Sequence, residues 1–373
     1  MDFALNDEQQ AIVDLAKQIL TDRCQPELLK EVESGTDWFH RDLWADLAKA
    51  DLLGITLPES VGGGGFGYLE ACLLLVEAGR TVAPTPLWAT LVASRAIAEL
   101  GTDEQAQRWL PGVATGSSIL AVAISEVGTD DRHPQLAAIA DGDGWRLTGA
   151  KTGAPAVHLA DAIVVTASID GAPALFVVPT DAEGLTTARQ DTFNHEPTFH
   201  VELDSVAVGA DARLGAGVAD PVTWLVDRAI VGLCAFAAGV AEAGMRLTAG
   251  YVTGRHQFGK SLGTFQAVCH RMADCYVDAG AIHLTMLQAA TALDEAGPGD
   301  PVDEKLVAVA KYWASYSGSR VGHAGLHLHG GISIDLDYPM HRYFLWSKHL
   351  ELQLGAGTAQ LAHLGTLLAA QPV

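Results

Sequence analysis

The hydrophobic period of this chain changes twice, and those two changes limit its fold more than any other feature. Up to about residue 110 apolar residues recur at helical spacing. Leu5, Ala11, Ile12, Leu15, Ala16 and Ile19 line one face behind the polar start Asn6, Asp7 and Glu8. A second helix is expected over 43–53. A third, strongly apolar, is expected over 68–78, after the helix-breaking run LPESVGGGGFG at 57–67. Near Ser117 the pattern becomes short, β-branched and alternating. The stretches 119–125, 144–153, 162–168, 172–180 and 198–208 are separated by Gly, Asp or Pro and read as strands. Strands without helices between them predict an antiparallel barrel or sandwich, not a parallel α/β sheet. From Pro221 the helical period returns, with segments expected at 222–252, 264–295, 302–326, 339–349 and 355–370. Long segments with short breaks describe an antiparallel bundle. The expected class is therefore α+β: an N-terminal all-α domain (1–116), a middle antiparallel β-barrel or sandwich (117–218) and a C-terminal four-helix bundle (219–373).

Composition narrows the function. The chain has 373 residues, of which 49% are apolar, enough for several cores and unlike a disordered protein. Its net charge of −22, with no arginine-rich patch, argues against nucleic acid as a partner. Cys24, Cys72, Cys234, Cys269 and Cys275 are scattered with no CxxC pair, so buried reduced thiols are expected and no metal site is. The start MDFALNDEQQ does not read as a secretory leader, and the apolar stretch 229–240 is too short to span a membrane. A cytoplasmic protein with no membrane partner is the expectation. Arg80 and Arg95, isolated beside apolar helical stretches, read as solvated helix faces.

The segment YVTGRHQFGKSLGTFQAVCHRMADC (251–275) carries the chemistry. It ends one helix at Tyr251, turns through 254–263 and starts another helix at Thr264. The turn offers Arg255 and Lys260 beside Phe258, with free backbone N–H groups from the new helix. That set suits a phosphate or pyrophosphate near an aromatic ring. A plain basic loop with Phe258 as a packing plug fits the same residues.

This segment also resembles the acyl-CoA dehydrogenase family, whose pattern is Arg, two residues, Phe-Gly, then a Phe-Gln helix start. LLGITLPESVGGGGFGYLEACLLLVEAGR (52–80) resembles that family's N-terminal segment. LHLHGGISIDLDYPMHRYF (326–344) with GAGTAQLAHLG (355–365) resembles its C-terminal signature. The resemblance implies FAD, a tetramer-like assembly and α,β-desaturation of an acyl-CoA. In the family the FAD lies between two subunits. Arg255, Gln257, Phe258 and Gln266 fall on positions that reach a neighbour's FAD. So do Gly330 and Gly331, and His327 stands where Gln is common. Thr358 and Gln360 match positions that touch FAD from its own subunit, or serve as packing and capping residues on the last helix.

The half that holds the flavin ring departs from the pattern. Where the family has Thr-Glu-Pro-Gly-x-Gly-Ser-Asp, this chain reads SEVGTDDRHP (125–134). Where it has Lys-x-Trp-Ile-Thr, this chain reads Lys151-Thr152-Gly153-Ala154-Pro155. Gly153 offers no aromatic cover and Pro155 no hydroxyl. The common Glu base is replaced by Ala356. A subgroup resembling isovaleryl-CoA dehydrogenase carries its Glu just before an Arg on an earlier helix, and this chain has Asp227-Arg228 there. Asp227 is thus the candidate base. Its shorter reach matters, because misplacement by about 1 Å costs on the order of a hundredfold in rate. The alternative is a helix-face ion pair of Asp227 with Arg228.

The resemblance favours a heteromeric acyl-CoA dehydrogenase in which this chain completes the FAD site of a homologous subunit. Some bacterial members that resemble steroid side-chain dehydrogenases form such heterotetramers. Electron-transferring flavoprotein is the implied acceptor, and a steroid side-chain CoA thioester is a candidate substrate. The Ala/Gly-rich stretch 229–244 leaves room for a wide acyl group or, equally, marks close helix packing. A self-sufficient homotetramer with Asp227 as base, and a scaffold that binds no flavin, are the other readings.

Overall fold

The computed structural model describes residues 3–297, 299–300 and 302–370. Residues 1–2 of the expected N-terminal domain, two prolines of the predicted break at 295–301 and residues 371–373 of the expected C-terminal domain lie outside them.

The N-terminal helices are α1 (Asp7–Arg23), α2 (Pro26–Ser34), α3 (Arg41–Lys49), α4 (Tyr68–Thr81), α5 (Leu87–Leu100) and α6 (Asp103–Ala114). Asn6 caps α1 and Thr102 caps α6, each in a reciprocal box with a glutamine three residues on. The helical period alone does not delimit α2 or α5. The first is only nine residues long, too short to establish a period, and the second is buried nearly all round, so it shows no single apolar stripe.

The middle domain is one sheet. Its strands are β1 (Leu120–Ala123), β2 (Ala137–Asp141), β3 (Gly144–Pro155), β4 (Ala162–Ile169), β5 (Ala172–Pro179), β6 (Leu185–Gln190), β7 (Thr198–Val208) and β8 (Arg213–Leu214). The spatial order is β6-β7-β3-β2-β4-β5-β8, with β1 also on β4. Contrary to the expectation, pairing is not wholly antiparallel. β1 runs parallel to β4 from the Leu120–Ala162 pair to the Ala123–Val165 pair, and β2 meets β4 in parallel at Ala137. The loop 124–136 carries the chain back across the sheet before β2 begins, so β1, β2 and β4 point the same way.

The C-terminal helices are α7 (Pro221–Gly254), α8 (Gln266–Glu295), α9 (Glu304–His329), α10 (Met340–Leu352) and α11 (Gly357–Ala369). The first four pack on one another and α11 lies along α9. α7 is longer than the apolar run suggested. Among the described residues it is the one helix long and apolar enough to cross a membrane, and its most apolar window is entirely buried. Its small residues serve a close crossing with α4. A Cβ on Gly239 would collide with the Val76 carbonyl and Arg80 amide, and one on Gly79 with the Phe236 carbonyl. Close packing therefore accounts for the Ala/Gly-rich stretch.

Two arginines depart from their expected solvated faces. Arg80 pairs with Glu77 on its own helix and with Glu242 across the α4–α7 joint. Arg95 is nearly buried on α5, where it donates to the carbonyls of Thr56 (3.2 Å) and Phe66 (3.4 Å) and pairs with Glu99 (2.9 Å). It holds the glycine-rich run 57–67 against the helix. Aliphatic surroundings hid this role from the sequence.

Candidate functional site

α7 ends in a small hairpin, β9 (His256–Gln257) against β10 (Lys260–Ser261), with Phe258 and Gly259 both at positive φ (53° and 80°) in the turn. The hairpin is braced at its root. Leu262 N–H donates to the Arg255 carbonyl (2.8 Å), and the Ser261 hydroxyl donates to those of Val252 and Thr253 (both 2.9 Å). A short turn over Leu262–Thr264 follows, so α8 begins at Gln266 and not at Thr264. Phe258 is 90% exposed, which excludes the packing-plug reading. Its neighbour is Phe265, edge-on at 6.2 Å, and Lys260 stacks on Phe265 at 4.3 Å instead of beside Phe258. A left-handed backbone at a bulky residue costs roughly 1–2 kcal/mol. Arg255, Gln257 and Gln266 are exposed, and their side chains make no hydrogen bond or ion pair among the described residues. Cys269, one turn into α8, is exposed too, against the expected burial; Cys72, Cys234 and Cys275 are buried and Cys24 is half-buried.

The hairpin stands beside the end of α9. Tyr251, just before it, stacks on His329 at 4.4 Å and donates to the His329 carbonyl (3.3 Å). The buried ring of His329 bonds the Gly325 carbonyl (2.8 Å) and the Tyr338 hydroxyl (3.0 Å), and burial lowers its pKa. This stack roots the Arg255 hairpin next to Gly330 and Gly331. Gly330 has φ 65° and ψ −143°, a conformation restricted to glycine, and a Cβ at either glycine would meet no atom within 4 Å. His327 is exposed one turn earlier. Arg255, Gln257, Phe258, Gln266, His327, Gly330 and Gly331 are thus all exposed, and the Tyr251–His329 stack ties together the two helix ends that carry Arg255 and Gly330. Thr358 and Gln360 belong to a separate element, α11. Thr358 is exposed. Gln360 is buried and donates to the Leu354 carbonyl (3.2 Å), while its own amide oxygen has no partner.

The segment 151–155 opens on a bulge. β3 slips register against β7 between Lys151 and Ala154, putting Thr152 and Gly153 in a bulge. Gly153 N–H donates to the Gln190 side chain (3.0 Å), and a Cβ on Gly153 would meet nothing. Beyond Pro155, however, the junction of the three domains is filled by the chain itself. Trp38, buried at φ 48°, packs on Trp346 (5.6 Å), which packs on Phe236 (4.8 Å). His349 Nε2 lies 3.3 Å from Glu196 on the far side of Trp346. The cavity left between Trp38, Ala156 and Glu196 is about 10 Å³, and that between Glu196, Phe236 and Trp346 about 20 Å³. Such spaces hold one water, against at least about 300 Å³ for an organic ligand.

Asp227 does not pair with Arg228. Its Oδ1 accepts from Arg132 at 2.5 Å, while Arg228 stacks on Trp224 (3.9 Å) and donates to the carbonyls of Trp224, Leu293 and Ala296. Asp227 and Arg228 are both buried on α7. Burial raises the Asp227 pKa to about 6 against the opposing pull of Arg132, and lowers that of Arg228 to about 10. A pocket of about 260 Å³ adjoins Asp227, Trp224 and Glu304. Arg132, Trp38 and Trp346 were not singled out by sequence. The one signal was a cation in the divergent loop 125–134; the tryptophans meet across some three hundred residues, and no local pattern marks them.

The comparisons with known proteins agree with this architecture. Family models described as the acyl-CoA dehydrogenase N-terminal and C-terminal domains match residues 6–117 and 222–368. The chain belongs to the acyl-CoA dehydrogenase family. Within it, the chain is 37% identical to acyl-CoA dehydrogenase FadE27 of Mycobacterium tuberculosis over the full length of both. It is also similar to a solved Tcur3481-Tcur3483 steroid ACAD variant, at 43% identity over 98% of each chain with a TM-score of 0.92. The ChsE4-ChsE5 complex of Mycobacterium tuberculosis matches at 36% identity over 100% of each chain with a TM-score of 0.93.

Proposed function

We propose that this chain is one subunit of a heteromeric, FAD-dependent acyl-CoA dehydrogenase, completing the FAD site of a homologous partner and leaving the ring chemistry to it. The observation that carries this reading is the filled junction beside Pro155, where Trp38, Trp346 and Phe236 leave two cavities of about 10 and 20 Å³. A flavin ring does not fit there. The tail of FAD suits the exposed end of α9 and the Arg255 hairpin, where two glycines leave backbone open to approach and Arg255 carries an uncommitted cation.

In this reading Arg255 holds the diphosphate by charge, and Gly330-Gly331 admit it against backbone. Phe258 offers a ring face, and Gln257, Gln266 and His327 offer polar contacts at the rim. Thr358 and Gln360 survive from an own-subunit site, Gln360 now as a buried cap to the Leu354 carbonyl. When bound, FAD supplies the acceptor for the hydride that leaves the acyl β-carbon. The α-proton goes to a base on the partner, since the candidate base of this chain, Asp227, is held by Arg132. Both mycobacterial and Tcur neighbours are named as two-component assemblies, and one is named a steroid ACAD; these names support the heteromer and a steroid side-chain CoA substrate. A cytoplasmic setting and electron-transferring flavoprotein as acceptor complete the proposal.

Production of the chain alone and together with a homologous subunit tests it. Alone, the chain should carry no flavin and no desaturase activity; together, the pair should hold FAD and turn over. Arg255→Ala should weaken FAD retention by the pair by about tenfold or more, the worth of one charge-assisted contact. A flavin-loaded, active protein from this chain alone would overturn the reading, and unchanged FAD retention in Arg255→Ala would reduce the chain to a scaffold.

A further inference from the structure

We infer that Arg132 is a positioning residue that clamps the loop 126–135 of the β-domain onto the helical bundle, turning the carboxylate at the candidate base position into an inter-domain anchor. The loop has a rigid neck. Glu126 accepts from the amides of Gln135 (2.8 Å) and Leu136 (3.0 Å), closing the two ends of the loop on each other. The same carboxylate pairs with Lys151 at 2.6 Å, and Lys151 also donates to the Ile124 carbonyl (3.1 Å) and the Thr166 hydroxyl (2.6 Å). Burial works against the ionised Glu126, but Lys151 and the two amides outweigh it and its pKa lies below the ordinary value. Burial lowers Lys151 to about 8, still above neutrality, so the pair is ionised at pH 7.

The tip is ordered as well. Asp130 accepts from the Arg132 amide (2.9 Å) through its side chain and from the His133 amide (2.9 Å) through its carbonyl. The guanidinium of Arg132 therefore leaves a loop fixed at both ends, and it is only 10% exposed. It reaches Asp227 on α7 at 2.5 Å and lies 3.8 Å from Glu304 at the start of α9. Glu304 in turn lies 3.2 Å from His363 on α11. One cation from the sheet thus faces carboxylates on two helices, and the second carboxylate faces the last helix.

This contact occupies Oδ1, one of the two oxygens through which Asp227 could take a proton. Breaking such a buried pair from one side leaves an uncompensated charge, whereas removing both members removes that penalty. The inference rests on these contacts and needs no flavin or partner, so its test is separable from that of the shared FAD site.

Hydrogen exchange of the full chain reads the clamp directly. Arg132→Met should raise the exchange of amides in 127–134 on the order of a hundredfold, the scale of a broken buried pair. Asp227→Asn should loosen the same amides. The double variant should be no looser than Arg132→Met alone, and Arg132→Lys should keep part of the protection. Unchanged exchange in the loop on Arg132→Met, or single effects that simply multiply in the double variant, would overturn the inference. Should Arg132→Met fail to fold, Asp227→Asn and Arg132→Lys give the same comparison at the loop.

Discussion

Lys311 shows what a single residue costs when the fold gives it too little. It is fully buried on α9, and its one hydrogen bond among the described residues goes to the Leu350 carbonyl (2.5 Å). Burial lowers its pKa to about 8, with Cys234 and Glu351 opposing weakly. In the unfolded chain its proton stays on to about pH 10.4. Between those values the unfolded state binds more protons, so this group adds stability as pH rises from 8 to about 10, and adds none below 8. Lys311→Met keeps the length of the side chain without the charge. It should stabilise the protein at pH 7 by roughly 2–4 kcal/mol, and the gain should shrink toward pH 10. Urea unfolding of the two proteins side by side at pH 7 and pH 9.5 checks this, because Lys151 contributes equally to both. A gain that does not depend on pH would point to packing instead of charge. No sequence signal marks Lys311, since its partner is a backbone carbonyl on another helix. Asp227 was legible as a carboxylate of interest, but its partner was not, because Arg132 sits 95 positions away.

At the scale of elements, the crossing of α4 over α7 is the tightest joint between the two helical domains. Two backbones touch at Gly79 and Gly239, so no rotamer change can make room for a new side chain. Gly239→Ala should therefore cost about 3 kcal/mol or more, at the upper end for overpacked cores, with a matching fall in thermal midpoint. Gly250→Ala on the same helix, where a Cβ meets nothing, is the control and should be neutral or slightly stabilising. Elements of this kind were legible where one face is apolar and the other wet, as in α1 and α9. Burial all round left α4 and α7 legible as long apolar runs but hid α5, and near-total exposure hid the strand β6. The hairpin at 256–261 was legible only as a turn. Its strands have two residues each, too few to show a period.

For the whole molecule, the telling feature is a last helix that is apolar yet uncovered. α11 reads GTAQLAHLGTLLA, Gln360 is its only buried residue, and Leu361 and Leu368 are about half exposed. In the proposed assembly this surface meets another subunit. Leu361→Glu with Leu368→Glu should leave the helical signal in circular dichroism intact and lower the mass of the assembly measured by light scattering. An unchanged mass would remove α11 from the interface. The three-part order of the fold was legible from the period changes near 117 and 221. That tryptophans fill the space beside Ala156 was not, because Trp38 and Trp346 come together only once the domains have met.

The glycine crossing has a last consequence for the gene. Because α4 and α7 share one seam, a coding sequence cut between the last strand and α7 would yield two pieces with raw, complementary faces. Each made alone would be sticky and short-lived in a cell; made together they would find each other, which makes this seam a natural place for a split-protein reporter.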